Sequence, residues 1–264
     1  MATLVAAGVL GGCGTYVPGI AEAGDTESGI LLQNAIVQSI HCELRNAVVG
    51  TIHDDKQGRE RFAEFLEKWA VQLTLTLTIE EKTVVAPTIG MSFPPSLFTL
   101  GVGGNVSTGA TRLNKLNYYY TIQELMALGV CSKGFTDQLT HPSGSLLIRS
   151  DLKTKEWLQG QVLNNLTGNF VETKNGFQHQ VAFVVDTGGG VTPGAKLATV
   201  SLNPTGIFLT ANRKRTHDLS LVFGPASAEE KQNKSLAPTA QAIFLSTQIS
   251  AAIQAGLRGV VIVP

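Results

Sequence analysis

The chain has 264 residues, of which 43% are apolar and 15% are charged, against a usual charged share of about 25%. This composition excludes a largely disordered chain, because disordered segments are poor in apolar and rich in charged residues. Twenty Lys and Arg residues balance twenty Asp and Glu residues. The chain therefore lacks the positive charge typical of general nucleic-acid binders, and we predict no nucleic-acid partner.

The N-terminus holds the longest apolar run, residues 1–12, which ends in the small pair Gly11-Gly12. It is too short to span a bilayer as a helix but has the length of the apolar region of a signal peptide. No Lys or Arg precedes Arg45, so the basic start of such a peptide is missing. Residues 13–29 contain glycine, proline and acidic residues, as expected for a tether. The alternative is that residues 1–12 form a buried strand or helix start and that Cys13 is a small core residue.

Residues 30–264 are predicted to form one domain, whose helices are indicated by apolar residues at helical spacing. In "ILLQNAIVQSIHCELRNAVVG" apolar residues recur every four positions, and Gly50 stands where a helix stop belongs. A shorter helix is predicted in "RERFAEFLEKW", and another in residues 143–166 with Ser145 as its cap. An Ala-rich C-terminal helix is predicted from about Pro238 to Ala255.

Strands are indicated where the apolar period changes to two. The clearest is "WAVQLTLTLTIEE", in which apolar residues alternate with Gln, Thr and Glu. We predict paired strands in "SLFTLGVGGNVS" and "LNKLNYYYTIQEL", and further strands in the segments 177–187, 195–202, 206–211 and 216–224. The expected fold class is α+β, with an antiparallel β-sheet of about six to eight strands packed with three or four helices.

The three cysteines fit no zinc-binding pattern, and no pair of histidines has metal-site spacing, so no metal or other cofactor is predicted. If Cys13 is modified, Cys42 and Cys131 remain as an even pair, which would form a disulfide in an oxidising compartment. The alternative is that Cys42 and Cys131 are two separate buried thiols.

The densest basic patch is "NRKRTHD", with Arg213, Lys214, Arg215 and His217 next to Asp218. Guanidinium groups can contact a phosphate, a lipid headgroup or an acidic partner. We favour a solvated loop before a strand, where basic residues also discourage edge pairing.

Two further motifs have structural explanations. The glycine-rich "DTGGGVTPG", residues 186–194, lacks the Lys-Ser/Thr ending of a phosphate-binding loop, and a hairpin turn explains it. In "NYYYT", Tyr118 and Tyr120 share one side of a strand. They could form an aromatic platform for a ligand, although core packing with the phenol groups at its rim is the favoured interpretation.

The tetrapeptide Leu10-Gly11-Gly12-Cys13 resembles the lipobox of bacterial lipoproteins, in which the cysteine becomes the first mature residue and carries the acyl chains. With segments such as "IVQSIHCELRNAVVG", "YYYTIQEL" and "NRKRTHDLSLVFGP", the chain resembles a set of uncharacterised alphaproteobacterial lipoproteins over most of its length. The resemblance implies lipidation at Cys13 and a membrane partner, with the body in the periplasm or at the cell surface. It carries no known activity.

The leading functional hypothesis is a lipid-anchored, non-enzymatic envelope protein that acts as a structural or interaction module, with another envelope protein as partner. A second hypothesis is a hydrolase or transferase whose groups meet only in three dimensions, drawn from Arg213, His217, Asp218 and Asp151. A third is a soluble assembly subunit, such as a phage or filament component, in which residues 1–12 are ordered.

Overall fold

A computed structural model describes Pro18 and residues 26–57, 63–93, 98–129, 151–166, 176–196, 200–202, 207–227 and 235–259. The α-helices in these residues are α1 (Thr26–Gln57), α2 (Ile122–Ala127), α3 (Thr154–Leu166) and α4 (Pro238–Gly259). A 3₁₀ helix spans Glu64–Lys68. The strands are β1 (Trp69–Val85), β2 (Thr88–Phe93), β3 (Phe98–Gly103), β4 (Val106–Thr121), β5 (Phe177–Val191), β6 (Ala195–Lys196), β7 (Val200–Leu202) and β8 (Leu209–Pro225).

The described strands form two four-stranded sheets, with the orders β4-β1-β8-β5 and β3-β2-β7-β6. The predicted α+β class is confirmed, with two sheets in place of one larger sheet. The predicted pairing of the third strand with the fourth is wrong, because β3 pairs antiparallel with β2 from Thr88↔Gly103 to Phe93↔Phe98. Only two residues separate β3 from β4, yet the two strands belong to different sheets.

The chain divides into two compact units. The sheet unit comprises the described parts of residues 1–20, 77–114 and 184–216, and the helical unit those of residues 21–76, 115–183 and 217–264. The strands β1, β4, β5 and β8 each contribute residues to both units.

The helical unit contains an aromatic cluster around Phe177, which is fully buried. The ring of Trp69 lies 5.0 Å from that of Phe177, and Trp157 makes edge contact with Phe177 at 6.5 Å. Phe65 and Phe223 complete the cluster. Such offset and edge contacts add to the free energy gained by burying the rings.

Helix α1 buries most of the predicted apolar stripe of Leu32, Ile36, Ile40, Leu44 and Val48: the last four are at most 2% exposed, and Leu32 is partly buried. The predicted stop at Gly50 is wrong, because α1 continues to Gln57. A Cβ atom at Gly50 would stand 2.8 Å from Cε of Lys155 in α3. The glycine therefore allows a close approach of a side chain rather than ending the helix.

Two other predicted boundaries are corrected by local hydrogen bonds. Ile122 begins a helix rather than continuing a strand, because Thr121 and Glu124 form a reciprocal capping box. Helix α3 begins at Thr154, after a turn in which Asp151 accepts the backbone N–H of Lys153 at 2.9 Å. Lys153 has a φ of 58°, which breaks the helix predicted to run from residue 143. The predicted cap Ser145 lies outside the described residues.

We expect Gly176→Ala to destabilise the protein by about 1–3 kcal/mol, because Gly176 has a φ of 147° that other residues rarely adopt. The added Cβ atom would also stand 2.7 Å from the backbone oxygen of Phe223. Urea denaturation followed by circular dichroism measures the change. The matched control is Gly160→Ala in α3, where the added methyl group meets nothing within 4 Å. It should raise stability by about 0.5–1 kcal/mol, and equal effects of the two substitutions would contradict the prediction.

Candidate functional site

The sheet unit contains a cleft of about 390 Å³ beside the predicted basic patch. Its lining residues come from β1, β5 and β8, and they are Glu81, Thr83, Thr187, Gly188, Ala211, Asn212 and Arg213. Because these three strands are neighbours in one sheet, a short stretch of each reaches the same surface. The cleft therefore brings together side chains that lie far apart in the sequence.

An ion pair dominates the charge of the cleft. Nη1 of Arg213 lies 3.1 Å from Oε1 of Glu81, and the two side chains are 21% and 35% exposed. The hydroxyl of Thr187 donates to the backbone oxygen of Arg213 at 3.1 Å, which fixes β5 against β8 at this level. A partly exposed pair of this kind contributes at most about 1 kcal/mol to stability. The larger effect of the Arg213–Glu81 pair is that the carboxylate neutralises the positive charge of the arginine within the cleft.

The side-chain amide of Asn212 occupies the space that a Cβ atom at Gly188 would need. A Cβ atom at Gly188 would thus force the Asn212 side chain to move aside. The predicted hairpin turn over residues 186–194 is wrong in this part, because Asp186 to Val191 continue β5. Only Thr192, Pro193 and Gly194 separate β5 from β6.

The groups lining this cleft favour binding over catalysis. They offer two hydroxyls, an amide and a paired carboxylate and guanidinium, and no thiol or imidazole for nucleophilic or acid–base chemistry. The carboxylate of Glu81, already paired with Nη1 of Arg213, would repel an incoming phosphate. The cleft therefore suits an uncharged ligand or a peptide segment rich in hydrogen-bonding groups.

The remaining residues of the basic patch do not act as one cationic surface. The expected loop is wrong, because residues 212–218 belong to β8. Side chains alternate between the two faces of a strand, so Arg213, Arg215 and His217 are separated from Lys214. Arg215 and His217 are buried, at 9% and 5% exposure.

The two carboxylates considered for catalysis both have partners. Asp218 accepts a hydrogen bond from Nε2 of Gln180 at 2.9 Å. Asp151 pairs with Nζ of Lys153 at 2.6 Å. The hydrogen bond from that side chain, together with the one from the backbone N–H of Lys153, lowers the pKa of Asp151. Asp151 therefore stabilises the turn before α3 through its bonds to Lys153.

Cys42, in α1, is disulfide-bonded. Cys13 and Cys131, the other cysteines of the chain, lie outside the described residues. The pairing of Cys42 with Cys131 thus stays a prediction, as does the lipidation of Cys13.

Tyr118 and Tyr120 lie on one side of β4, with ring centroids 6.3 Å apart and planes 3° apart. His41 of α1 stacks on Tyr120 at 4.5 Å. These rings line a small internal void with Val37, Ile40, Leu73 and Leu75. The tyrosines therefore pack the contact between α1 and the sheet, where burial lowers the pKa of His41 and raises that of Tyr120.

Glu43 of α1 makes a contact with α3 that the sequence pattern does not reveal. Its Oε1 accepts the hydroxyl of Thr154 at 3.0 Å and the backbone N–H of the same residue at 3.4 Å. The carboxylate thereby caps α3 from another helix. Burial raises the pKa of Glu43, and these hydrogen bonds oppose the rise.

No protein-family model matches the chain, and no curated protein matches it. Within the described residues, no group of three or more His, Cys, Asp or Glu side chains is placed to hold a metal ion. The described helices include none with the length and apolarity needed to cross a membrane.

We expect the thermal stability of the protein to fall as the pH drops below about 6.5, the ordinary pKa of histidine, through the contribution of His41. Because burial lowers its pKa in the folded state, the unfolded state binds a proton first on acidification. His41→Phe keeps an aromatic ring against Tyr120 and should reduce this loss of stability.

The measurement is the melting temperature between neutral pH and about pH 5, a range that spans the ordinary pKa of histidine. Tyr120→Phe is the matched control, because it preserves the ring that covers His41 and should keep the wild-type slope. An unchanged slope in His41→Phe would assign the acid sensitivity to other groups.

Proposed function

We propose that this chain is a lipid-anchored protein of the bacterial cell envelope, held by acyl chains on Cys13, whose body is a non-enzymatic structural or interaction module. The observation that carries the proposal is the lipobox-like Leu10-Gly11-Gly12-Cys13. It stands five residues before Pro18, which is buried and whose oxygen accepts a hydrogen bond from Arg112 at 3.4 Å. An anchor at Cys13 would therefore be joined to the folded body through a short segment.

The disulfide at Cys42 supports a location outside the cytoplasm. Disulfides persist in the periplasm and at cell surfaces and are rare in reducing compartments. The proposal also depends on which cysteine forms the disulfide with Cys42. Pairing with Cys131 leaves the thiol of Cys13 available for acylation, whereas pairing with Cys13 consumes it.

A role in binding rather than catalysis is supported by how the candidate catalytic groups are used. Arg213 is paired with Glu81, Asp151 with Lys153, and Asp218 with Gln180. His217 is 5% exposed. A hydrolase or transferase site built from these four groups would need at least one of them to be released from its present contacts.

Exposed apolar side chains on α4 also support an interaction role. Leu245, Ile249 and Ile253 are four residues apart on one side of the helix and are 52%, 62% and 57% exposed. Contiguous exposed apolar side chains are typical of contact surfaces. The opposite side of α4 packs into the body through Ala240 and Phe244.

Mass spectrometry of the protein purified from bacterial membranes without reduction tests the proposal. The expected mature N-terminus is an acylated Cys13, and the expected disulfide-linked peptides contain Cys42 and Cys131. Cys13→Ser should move the protein from the membrane fraction to the soluble fraction, because it removes the acylated thiol.

Two results would contradict the anchor. One is an intact Met1 without acyl mass in native bacterial membranes, and the other is a peptide pair that links Cys13 to Cys42. A structure with residues 1–20 folded into a contact between subunits would favour the assembly-subunit hypothesis instead. Cys42→Ser serves as the control, since it removes a thiol of the disulfide but leaves the lipobox-like sequence intact.

A further inference from the structure

Most of the sheet unit is nearly devoid of charge. Residues 83–111 contain no Asp, Glu, Lys or Arg, and residues 187–212 contain only Lys196. At the chain's average of 15% charged residues, segments of this combined length would carry about eight charges. Residues 1–21 are also uncharged.

The charge-poor segments begin at one level of the β4-β1-β8-β5 sheet, which contains the four long strands and is called the large sheet below. Glu81 pairs with Arg213, Thr187 bonds to the backbone of Arg213, and a Cβ atom at Gly109 would touch the backbone oxygen of Glu81. These contacts align one residue from each of the four long strands in a row across the sheet. Close to this row along the strands lie five basic and three acidic residues, which are Lys82, Arg112, Arg213, Lys214, Arg215, Glu80, Glu81 and Asp186. We call this set the charged band.

The hairpin of β2 and β3 presents an exposed apolar patch. Ile89 pairs with Val102, and Met91 pairs with Leu100, so the four side chains share one face of the hairpin. They are 36%, 57%, 37% and 42% exposed, respectively. The other face carries only glycine at the intervening pair Gly90↔Gly101.

Beyond the charged band, the sheet unit has no buried aliphatic or aromatic side chain among residues 80–91, 100–114, 184–194 and 207–214. Nine of its large hydrophobic residues are exposed, and they are Ile89, Met91, Leu100, Val102, Val106, Leu113, Val184, Val191 and Ile207. An exposed apolar surface of this kind marks a contact with another apolar phase.

The proposed anchor at Cys13 favours the lipid bilayer as that phase. Pro18 is held at Arg112, within the charged band, and Cys13 precedes it by five residues. Five residues span at most about 18 Å when fully extended. A lipid on Cys13 would therefore keep Arg112 within about that distance of the bilayer surface, whatever path the intervening chain takes.

We propose that the sheet unit rests on the lipid bilayer beside its own anchor, with the β2–β3 patch entering the boundary between headgroups and acyl chains. This inference rests on the proposed lipidation of Cys13. Lys82, Arg112 and Lys214 of the charged band are at least partly exposed, and cationic side chains of this kind attract anionic headgroups. The absence of charge in residues 83–111 lowers the cost of the apolar contact.

The first test measures depth with the full-length acylated protein in vesicles of phosphatidylethanolamine and phosphatidylglycerol that contain brominated lipids. Val102→Trp places an indole in the patch, and Leu163→Trp places one at an equally exposed position of α3 in the helical unit. The unsubstituted protein supplies the background from Trp69 and Trp157. We expect the brominated lipids to quench the indole at position 102, because the patch would lie at the boundary between headgroups and acyl chains. We expect little or no quenching of the indole at position 163.

The second test uses the soluble Cys13→Ser protein, so that binding to the same vesicles depends on the body alone. Val102→Asp should weaken vesicle binding by about tenfold or more, because it replaces a buried apolar contact by a charge. Leu163→Asp is the matched control and should leave binding unchanged. Circular dichroism of both variants establishes that they are folded.

The outcomes separate the two proposals. Equal quenching at positions 102 and 163 in a protein whose mass shows acylated Cys13 would overturn the docking and leave the anchor in place. Lack of acyl mass on Cys13 would overturn the anchor and remove the distance argument with it. If Val102→Asp abolishes self-association of the lipid-free protein without changing vesicle binding, the patch contacts a second copy and the bilayer proposal is wrong.

Discussion

The length of the four strands in the large sheet is the constraint on which the rest of the structure depends. They contain 15 to 17 residues each, about three times a usual strand. In β1 the buried side chains end at Ile79, and in β8 they begin at Arg215. Both strands continue beyond these points, β1 to Val85 and β8 back to Leu209, through residues that are partly buried or exposed.

The sequence pattern correctly predicts helices and strands whose buried face follows from the apolar periodicity of that element alone. The stripe of α1 and the alternation of β1 are both confirmed, because each depends only on which face of one element is buried. The continuity of β8 through residues 212–215 is missed, since a cluster of basic residues is typical of a loop. Here the opposite charge of Glu81 on the neighbouring strand accommodates Arg213. That pairing joins residues far apart in the chain and leaves no local signal.

The candidate site was accessible to sequence reasoning only in part. Arg213 is correctly singled out, but its partner Glu81, the amide of Asn212 and the role of Gly188 depend on strand order. The capping box of Thr121 and Glu124 is different, because its spacing is present in the sequence and a search for caps would have found it. Glu43 could not have been found in this way, since it caps a helix 111 residues away.

The direct passage from β4 into α2 also protects an exposed strand against misalignment. β4 lies at the edge of its sheet, where pairing by one residue out of step would exchange its two faces. Thr121 is the last residue of the strand and also the cap of the helix, with no loop between them to absorb a shift. Because Ile122 and Leu125 of α2 are fully buried, a slip by one residue would also have to displace the helix, and it would turn Tyr120 away from His41. The burial of α2 thus helps to set the register of the longest exposed edge in the described part of the chain.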